Sequence, residues 1–252
     1  MPRIEQPSVG NPPLITLEQS YVHLPNPMKS PPPLPIRSLA EFLGTAWLLI
    51  AIVGSGIMAQ RLTEDPGLQL LQNALATGLA LAAIIAALRP VCGAHVNPAV
   101  TLTAAAVGQL PWREAAGYLP AQVAGGIAGT LLANLMFGLP PAEISTTVRD
   151  APITWLGDLV ATVGLLSLIF TLVATRSYNV LPGAVGAYVA GAYYFTSSTG
   201  VANPAVALGR IFTDTFAGIA PQSAAIFILV QLTAAALVTL THHLLAASDH
   251  SS

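Results

Sequence analysis

Long apolar runs separated by short breaks dominate the chain after residue 37. A transmembrane helix needs about 20 predominantly apolar residues. Six runs reach or approach that length: residues 38–60, 68–88, 113–137, 155–175, 181–198 and 222–246. The breaks contain Pro66-Gly67, Pro90, Gly108 with Pro111, Pro140-Pro141 and Pro182-Gly183. The pattern therefore predicts an all-α membrane protein with six transmembrane helices joined by short loops.

Two further apolar stretches, residues 97–107 and 203–213, are only half as long as a transmembrane helix. A helix of about 11 residues is about 16 Å long, so it cannot cross a hydrocarbon layer of about 30 Å. Both stretches are predicted to end inside the protein or to turn back to the side they came from.

The two halves of the chain resemble each other. Each short stretch opens on the same tripeptide, Asn97-Pro98-Ala99 in one half and Asn203-Pro204-Ala205 in the other. Glu41 in the first span corresponds to Asp158 in the fourth, and Gln122 in the third span to Gln231 in the sixth. Because each half has three spans, the second half enters the membrane from the opposite side. Paired short segments in such an inverted repeat indicate the transport site.

The chemistry of the tripeptide fits a pore. Proline suits the first position of a helix, where its missing N–H has no partner in any case, and asparagine before it is a good N-cap. Each half-helix would point its positive dipole end toward the bilayer centre and offer an amide donor there. Such a zone binds a water or hydroxyl oxygen and opposes cations.

Composition supports a lipid-embedded chain and excludes several other classes. Only 8% of the residues are charged and 54% are hydrophobic, whereas a soluble domain carries about 25% charged residues. A net charge of −2 does not favour nucleic-acid binding, and a single cysteine, Cys92, excludes an internal disulfide. The spans show no catalytic triad, metal-ligand cluster or phosphate-binding glycine loop, so we expect no enzyme activity, no metal and no cofactor.

The chain ends and the basic residues suggest an orientation. Residues 1–36 hold ten of the 21 prolines and no long apolar run, which predicts a disordered cytoplasmic tail, and residues 247–252 form a short C-terminal tail. With both termini inside, Arg3, Lys29, Arg37, Arg89, Arg113 and Arg176 lie on the cytoplasmic side. Arg61, Arg149 and Arg210 then lie outside, and this bias favours the orientation.

From residue 37 to 246, in half-repeats 37–137 and 155–246, the chain resembles aquaporins and aquaglyceroporins. The resemblance rests on the two Asn-Pro-Ala copies, on residues 40–45 (Ala-Glu-Phe-Leu-Gly-Thr), on residues 93–101 around the first copy, and on residues 121–126 (Ala-Gln-Val-Ala-Gly-Gly). It implies a homotetramer in the inner (plasma) membrane, with one pore per subunit. It also implies passive flux of water and small uncharged solutes such as glycerol.

The family's selectivity filter is formed by four positions, which spacing from the two asparagines places at Thr77, Gly191, Gly200 and Val206. Water-selective relatives usually have an aromatic residue, a histidine, a small residue and an arginine there, and glycerol-conducting relatives share a glycine in the fifth span. At these positions this chain has no aromatic residue, no histidine and no arginine, so we expect a wide filter. Some bacterial members that lack the arginine accompany arsenic-resistance genes. That similarity extends the expected solutes to arsenous acid or methylated arsenicals.

The resemblance also implies supporting residues around the pore loops. Glu41 and Asp158 are expected to accept hydrogen bonds from the loops, with Gln122 and Gln231 beside them. A proton-relay role for the acids lacks a basic partner in the neighbouring spans. His95 is expected to hold its loop by hydrogen bonds, although a pH-sensing role remains open.

Two features near the outer mouth have alternative interpretations. Arg210 lies one turn beyond Val206 and is either a displaced filter arginine or, as we favour, the partner of Asp214 four residues later. Tyr193, Tyr194 and Phe195 are typical of membrane-interface aromatics, yet one of them, such as Tyr194, could lean into the mouth and narrow it.

These interpretations leave three alternatives to a broad channel for uncharged solutes. A strict water channel would result if aromatic side chains refill the filter. An ion-coupled secondary transporter shares the inverted repeat but needs a coupling-ion site. A structural membrane protein is the third, and the intact Asn-Pro-Ala pair argues against it.

Overall fold

The computed structural model describes residues 31–249. Most of the predicted proline-rich tail, with Arg3 and Lys29, and residues 250–252 at the end of the predicted C-terminal tail lie outside this part of the chain. Residues 31–249 form eight α-helices and one 3-10 turn, and no strand. The helices are α1 Leu34–Leu62, α2 Pro66–Cys92, α3 Pro98–Ala106, α4 Trp112–Met136, α5 Pro152–Ala174, α6 Leu181–Phe195, α7 Pro204–Gly209 and α8 Pro221–Asp249.

Five of these helices, α1, α2, α4, α5 and α8, are long and apolar enough to cross a membrane. The remaining predicted span, the fifth in chain order, is shorter than expected, because α6 ends at Phe195 rather than at residue 198 and contains 15 residues. It is therefore about 22 Å long. The chain continues from its end through a turn at residues 196–198, and residues 200–203, which lead into α7, are buried.

Proline positions account for two differences from the predicted boundaries. Helix α1 begins at Leu34, inside the predicted tail, because Pro35 occupies one of the first two helical positions, where a missing N–H costs nothing. Helix α2 passes through Pro90, which was expected to lie in a break, and ends at Cys92. Gly93 then closes α2 with a left-handed backbone (φ 89°), a conformation that glycine adopts readily.

The two short helices confirm the predicted half-length segments. Helix α3 has nine residues and helix α7 has six, and the 3-10 turn Arg210–Phe212 extends α7. Asn97 caps α3 with its side chain, and Asn203 caps α7 in the same way. Both helices start directly after the asparagine at a proline, as the capping chemistry predicts.

The packing of the helices repeats between the halves. In the first half α1 packs against α2 and α4, and in the second half α5 packs against α6 and α8. Each half-helix contacts the last long helix of both halves, and α2 packs against α6 across the repeat. The inverted repeat predicted from the motifs is therefore present in the fold.

Glycines allow the closest of these helix contacts. A Cβ atom on Gly125 or Gly129 of α4 would collide with the carbonyl oxygens of Phe42 and Ala46 in α1. Small residues at such crossings let backbones approach closely in membrane proteins. Large apolar side chains on the outside remain exposed, for example Trp47 at 61% and Leu79 at 72%, as a lipid-facing surface requires.

Candidate pore

A cavity of about 310 Å³ runs between the two halves of the described chain. Contacts at the two ends of the α2–α6 pair show how these helices run, since Tyr178 lies three residues before α6 begins and Tyr194 lies near its end. At one end the Arg89 guanidinium lies 5.1 Å from the Tyr178 ring, and at the other the Tyr194 hydroxyl donates to Gly67 O. Helices α2 and α6 are therefore antiparallel. We call the end of the cavity that Arg89 lines the Arg89 mouth. The opposite end, which Arg210 lines, is the Arg210 mouth.

Both asparagines lie in the cavity wall, and each bonds to the opposite half of the molecule. Asn97 Nδ2 donates to Ala202 O over 2.8 Å, and Asn203 Nδ2 donates to Val96 O over 2.8 Å. Their Oδ1 atoms cap the half-helices by accepting from the N–H groups of Ala99 and Ala205. An amide nitrogen has two hydrogens, so each asparagine keeps one N–H for a molecule in the cavity.

The loops before the asparagines have an unusual backbone. Val96 and Ala202, which directly precede the asparagines, both have φ 43°, and Ala94 (φ 53°) and Thr199 (φ 61°) are also left-handed. Non-glycine residues pay about 1–3 kcal/mol for such conformations. A left-handed residue directly precedes the asparagine in both halves, so this conformation is a property of the two pore loops.

Two buried carboxylates hold these loops in place. Glu41 accepts from the backbone N–H groups of His95 (2.9 Å) and Val96 (2.7 Å), and from Gln122 Nε2 (2.8 Å). In the second half Asp158 accepts from Ala202 N (3.0 Å) and from Gln231 Nε2 (2.8 Å). Both carboxylates are fully buried. The structure thus brings the five predicted supporting residues, Glu41, His95, Gln122, Asp158 and Gln231, next to the pore loops.

His95 lines the cavity and is bonded within its own half. Its Nδ1 lies 3.1 Å from Thr101 Oγ1, and its ring makes an edge contact with Tyr118 at 5.7 Å. These contacts suit a residue that fixes the loop. Among the described residues the one salt bridge joins Arg37 and Glu114, so no acidic side chain in this part of the chain forms an ion pair with His95.

Near the Arg210 mouth the cavity is lined by three of the four predicted filter residues, Thr77, Gly200 and Val206, and by Tyr193. The Tyr193 hydroxyl donates to Thr77 Oγ1 over 3.2 Å. Gly191 does not line the cavity. Val189 and Tyr193 do, and a residue two positions away on a helix points about 200° round the axis. The expectation for Gly191 is therefore wrong, and an aromatic ring lies where an open filter was expected.

The favoured pairing of Arg210 with Asp214 is also wrong. Asp214 instead accepts from the backbone N–H and the hydroxyl of Thr146. The Arg210 side chain is 4% exposed, lines the cavity and donates through Nε to Ala217 O. Tyr194 is 53% exposed outside the cavity.

A second arginine lies beside Arg210. Arg149, in the loop between α4 and α5, donates from Nε to Gly218 O (3.2 Å) and from Nη2 to Phe216 O (3.1 Å). Burial lowers the pKa of the Arg149 guanidinium, and the positive charge of Arg149 repels that of Arg210. Three consecutive carbonyl groups, those of residues 216–218, thus accept hydrogen bonds from these two arginines.

Sequence reasoning named Tyr194 as the example of an inward aromatic, whereas Tyr193 lines the cavity, and it missed the contacts of Arg149 with the loop at residues 216–218. The signal for Tyr193 was helical spacing, since Val185, Val189 and Tyr193 repeat every four residues. For Arg149 there was no local signal, because its position depends on how a long loop folds back over α7.

Comparison with known proteins supports this geometry. The model of the family described as "Major intrinsic protein" matches residues 34–209. The chain is 50% identical over 197 residues to the aquaglyceroporin AqpS of Rhizobium meliloti (strain 1021), covering 78% of this chain and 84% of that relative. It is 38% identical over 102 residues to a probable glycerol uptake facilitator protein of Thermotoga maritima, covering 39% of this chain and 43% of the relative.

A solved structure shares the fold. The X-ray structure of the aquaglyceroporin from Plasmodium falciparum matches with a TM-score of 0.62 at 22% identity, covering 83% of this chain and 93% of that one. At this identity the match supports the arrangement of the helices, and the side chains of the pore are argued from this chain alone.

Proposed function

The chain belongs to the major intrinsic protein family and is a multi-pass transmembrane channel, and from this we propose that it conducts water and small uncharged polyols such as glycerol passively. The relatives named for glycerol support this solute class. The proposed solute flux is not coupled to an ion gradient.

One observation carries the proposal. Asn97 and Asn203 lie together in the cavity, each at the start of a half-helix, and each has one amide N–H left after its bond to the opposite loop. Two donors near the positive ends of two helices bind a hydroxyl oxygen and orient it. The rest of this wall is largely apolar, with Leu81, Val185 and Val189 among its residues, so a polyol can place its carbon backbone against it.

The Arg210 mouth favours a second candidate, a strict water channel. Tyr193 is buried there and bonded to Thr77, so its ring occupies space that a polyol would need. Arsenous acid, a small neutral trihydroxy species, would meet the same restriction as glycerol.

Stopped-flow light scattering on proteoliposomes distinguishes the two candidates. We expect water and glycerol to equilibrate faster than in protein-free liposomes, with arsenous acid tested in parallel. Val206→Arg should slow glycerol while water flux persists, because it adds a large side chain beside Gly200. Val180→Arg, an exposed valine outside the cavity, is the matched control. Water flux without glycerol flux in the wild type would favour the strict water channel.

We further propose that the protein is a homotetramer in the plasma membrane with both termini cytoplasmic. The distribution of arginines between the two sides supports this orientation. A cysteine introduced at Glu64, in the loop after α1, should react with an impermeant maleimide from outside. A cysteine at Gln109, beyond α3, should react only after permeabilisation, and native mass spectrometry in detergent tests the tetramer. Reaction at Gln109 in intact cells would reverse the orientation.

A further inference from the structure

Arg210 is a buried cation without an anionic partner. Its side chain is 4% exposed, and among residues 31–249 the Lys/Arg ion pair within 4.0 Å joins Arg37 and Glu114. A buried charge without a carboxylate at hydrogen-bonding distance is expensive. Such a group in a membrane protein usually faces a water-filled path, and Arg210 lines the cavity.

The outer loop fixes the position of this guanidinium. Arg210 Nε donates to Ala217 O, and Arg210 O accepts from Ile219 N over 3.1 Å. Arg149 bonds the carbonyl groups of Phe216 and Gly218 on either side. The loop is thus held between the two arginines.

Only Nε of Arg210 has a protein acceptor among the described residues. Its two Nη groups therefore keep their N–H donors for whatever occupies the mouth. A guanidinium that is held at Nε and free at Nη can bond a hydroxyl oxygen in a fixed direction.

We infer that Arg210, reinforced by Arg149, is the cation barrier and solute-orienting donor of this channel, and that charge selection and size selection are carried by different residues, since Thr77, Tyr193 and Val206 set the size of the opening. This inference rests on the proposed channel function. Four residues of helix correspond to about 6 Å, so the Cα atom of Arg210 lies about one turn beyond that of Val206.

Carrying charge selection and size selection on different residues has a physical consequence. Two nearby cations repel ions of the same sign, including hydronium, more strongly than one. Because the side chain at position 206 is small and uncharged, the pore beside it can admit a solute that a guanidinium at that position would block. Ion exclusion therefore does not depend on a narrow filter.

The test measures cation leak and solute flux in the same proteoliposomes. With a pH-sensitive dye inside and a potassium gradient across the membrane, we expect Arg210→Met to raise proton and potassium leak about tenfold or more. Arg149→Met should raise it less. Water flux at or above the wild-type rate shows that Arg210→Met is assembled. Arg61→Met, which removes an exposed arginine bonded to Phe137 O outside the cavity, should leave the leak at the wild-type level.

Two further variants keep the test decisive if Arg210→Met does not assemble. Arg210→Lys keeps the charge without the planar donor, so it should exclude cations but slow glycerol. The double variant Val206→Arg with Arg210→Met should exclude cations again while reducing glycerol flux.

The outcomes separate this inference from the channel proposal. If wild-type protein passes neither water nor glycerol, the channel proposal fails. If wild type conducts and an assembled Arg210→Met excludes cations as well as Arg61→Met does, the inference about Arg210 is overturned and the channel stands. When Arg210→Met is not assembled, a conducting Arg210→Lys channel that leaks cations well above the wild-type level would overturn it, because the charge at position 210 is still present.

Discussion

Glu41 and Asp158 show how single residues hold the pore open. Each is fully buried in a long apolar helix, where an unsatisfied carboxylate is costly. Each instead accepts hydrogen bonds from the backbone of a pore loop, and a buried glutamine amide completes the set. The loops can therefore keep a left-handed backbone that would otherwise relax, and their carbonyl oxygens stay available to the opposite asparagines.

Replacing Glu41 tests this support. Glu41→Ala leaves three donors without an acceptor: the backbone N–H groups of His95 and Val96 and one side-chain N–H of Gln122. We therefore expect a loss of at least about 3 kcal/mol in the free energy of unfolding. Glu41→Gln keeps an acceptor oxygen and should lose less. Denaturation in mixed detergent micelles measures both, with the exposed Glu64→Ala as control. Equal losses in the Ala and Gln variants would show that the carbonyl acceptor does not matter.

Tyr193 is predicted to limit the size of solutes. Tyr193→Ala removes a ring from the Arg210 mouth, and a barrier lowered by about 1.4 kcal/mol raises flux about tenfold. We expect glycerol flux to increase by that factor and a four-carbon polyol to become permeant, while Tyr193→Phe keeps the ring and changes size selection little. Swelling assays with polyols of increasing length measure this. A Tyr193→Ala channel with the wild-type size limit would place the constriction elsewhere.

The residues of the mouth also show what the sequence could and could not supply. The asparagines, their prolines and the two acids follow from motif and repeat, because their roles depend on local capping and on burial in a span. Gly191 was misplaced because counting back from Asn203 ignores where α6 ends and which face it turns to the cavity. Arg210 lines the mouth and donates to Ala217 O in the following loop, a contact that spacing alone does not predict.

At the scale of elements, the half-helices depend on close packing of the long ones. Helices α1 and α4 cross at Gly125 and Gly129, where carbonyl groups of α1 occupy the space that side chains would need. The same device recurs where α2 crosses α6, since a Cβ atom on Gly78 would lie 2.6 Å from Gly186 O. Backbones this close keep each half-helix in contact with its neighbours.

A single methyl group at one crossing should disrupt it. In Gly129→Ala the Cβ atom meets a backbone carbonyl of α1, which cannot rotate away, so the helices must separate at a cost of about 1–3 kcal/mol. Gly183→Ala is the matched control, because this helical glycine has no heavy atom near its Cβ position. Thermal unfolding in detergent should show a lower midpoint for Gly129→Ala and little change for Gly183→Ala. Similar shifts in both would point to a general effect of losing glycine.

Element boundaries were predictable where capping residues determine them and not where tertiary packing does. Proline after asparagine correctly gave the starts of α3 and α7. Pro90 was expected to break α2, yet the helix continues for two residues to Gly93. The predicted end of α6 at residue 198 was wrong because the helix ends where the apolar run ends, at Phe195, and the polar residues Thr196, Ser197 and Ser198 form a turn.

At the scale of the whole molecule, the two halves are joined through their pore loops. Asn97 of the first half bonds the loop of the second, and Asn203 bonds the loop of the first. Each half therefore supplies the acceptor that orients the other half's donor. The matching backbone angles of Val96 and Ala202 follow, since two loops of one shape meet about a pseudo-twofold axis.

This mutual arrangement predicts energetic coupling between sites that are 106 positions apart in sequence, from 97 to 203. In a double-mutant cycle, Asn97→Ala and Asn203→Ala should deviate from additivity by about 0.5–3 kcal/mol in the free energy of unfolding. Losing one asparagine shifts both loops, so the second loss removes a bond that is already weakened. Asn97→Ala combined with Asn73→Ala is the control, because Asn73 bonds Ile52 and Ser55 and shares no partner with Asn97. Additivity in both cycles would mean that the halves are held together by helix packing alone, and that the crossed amide bonds serve only to orient the solute.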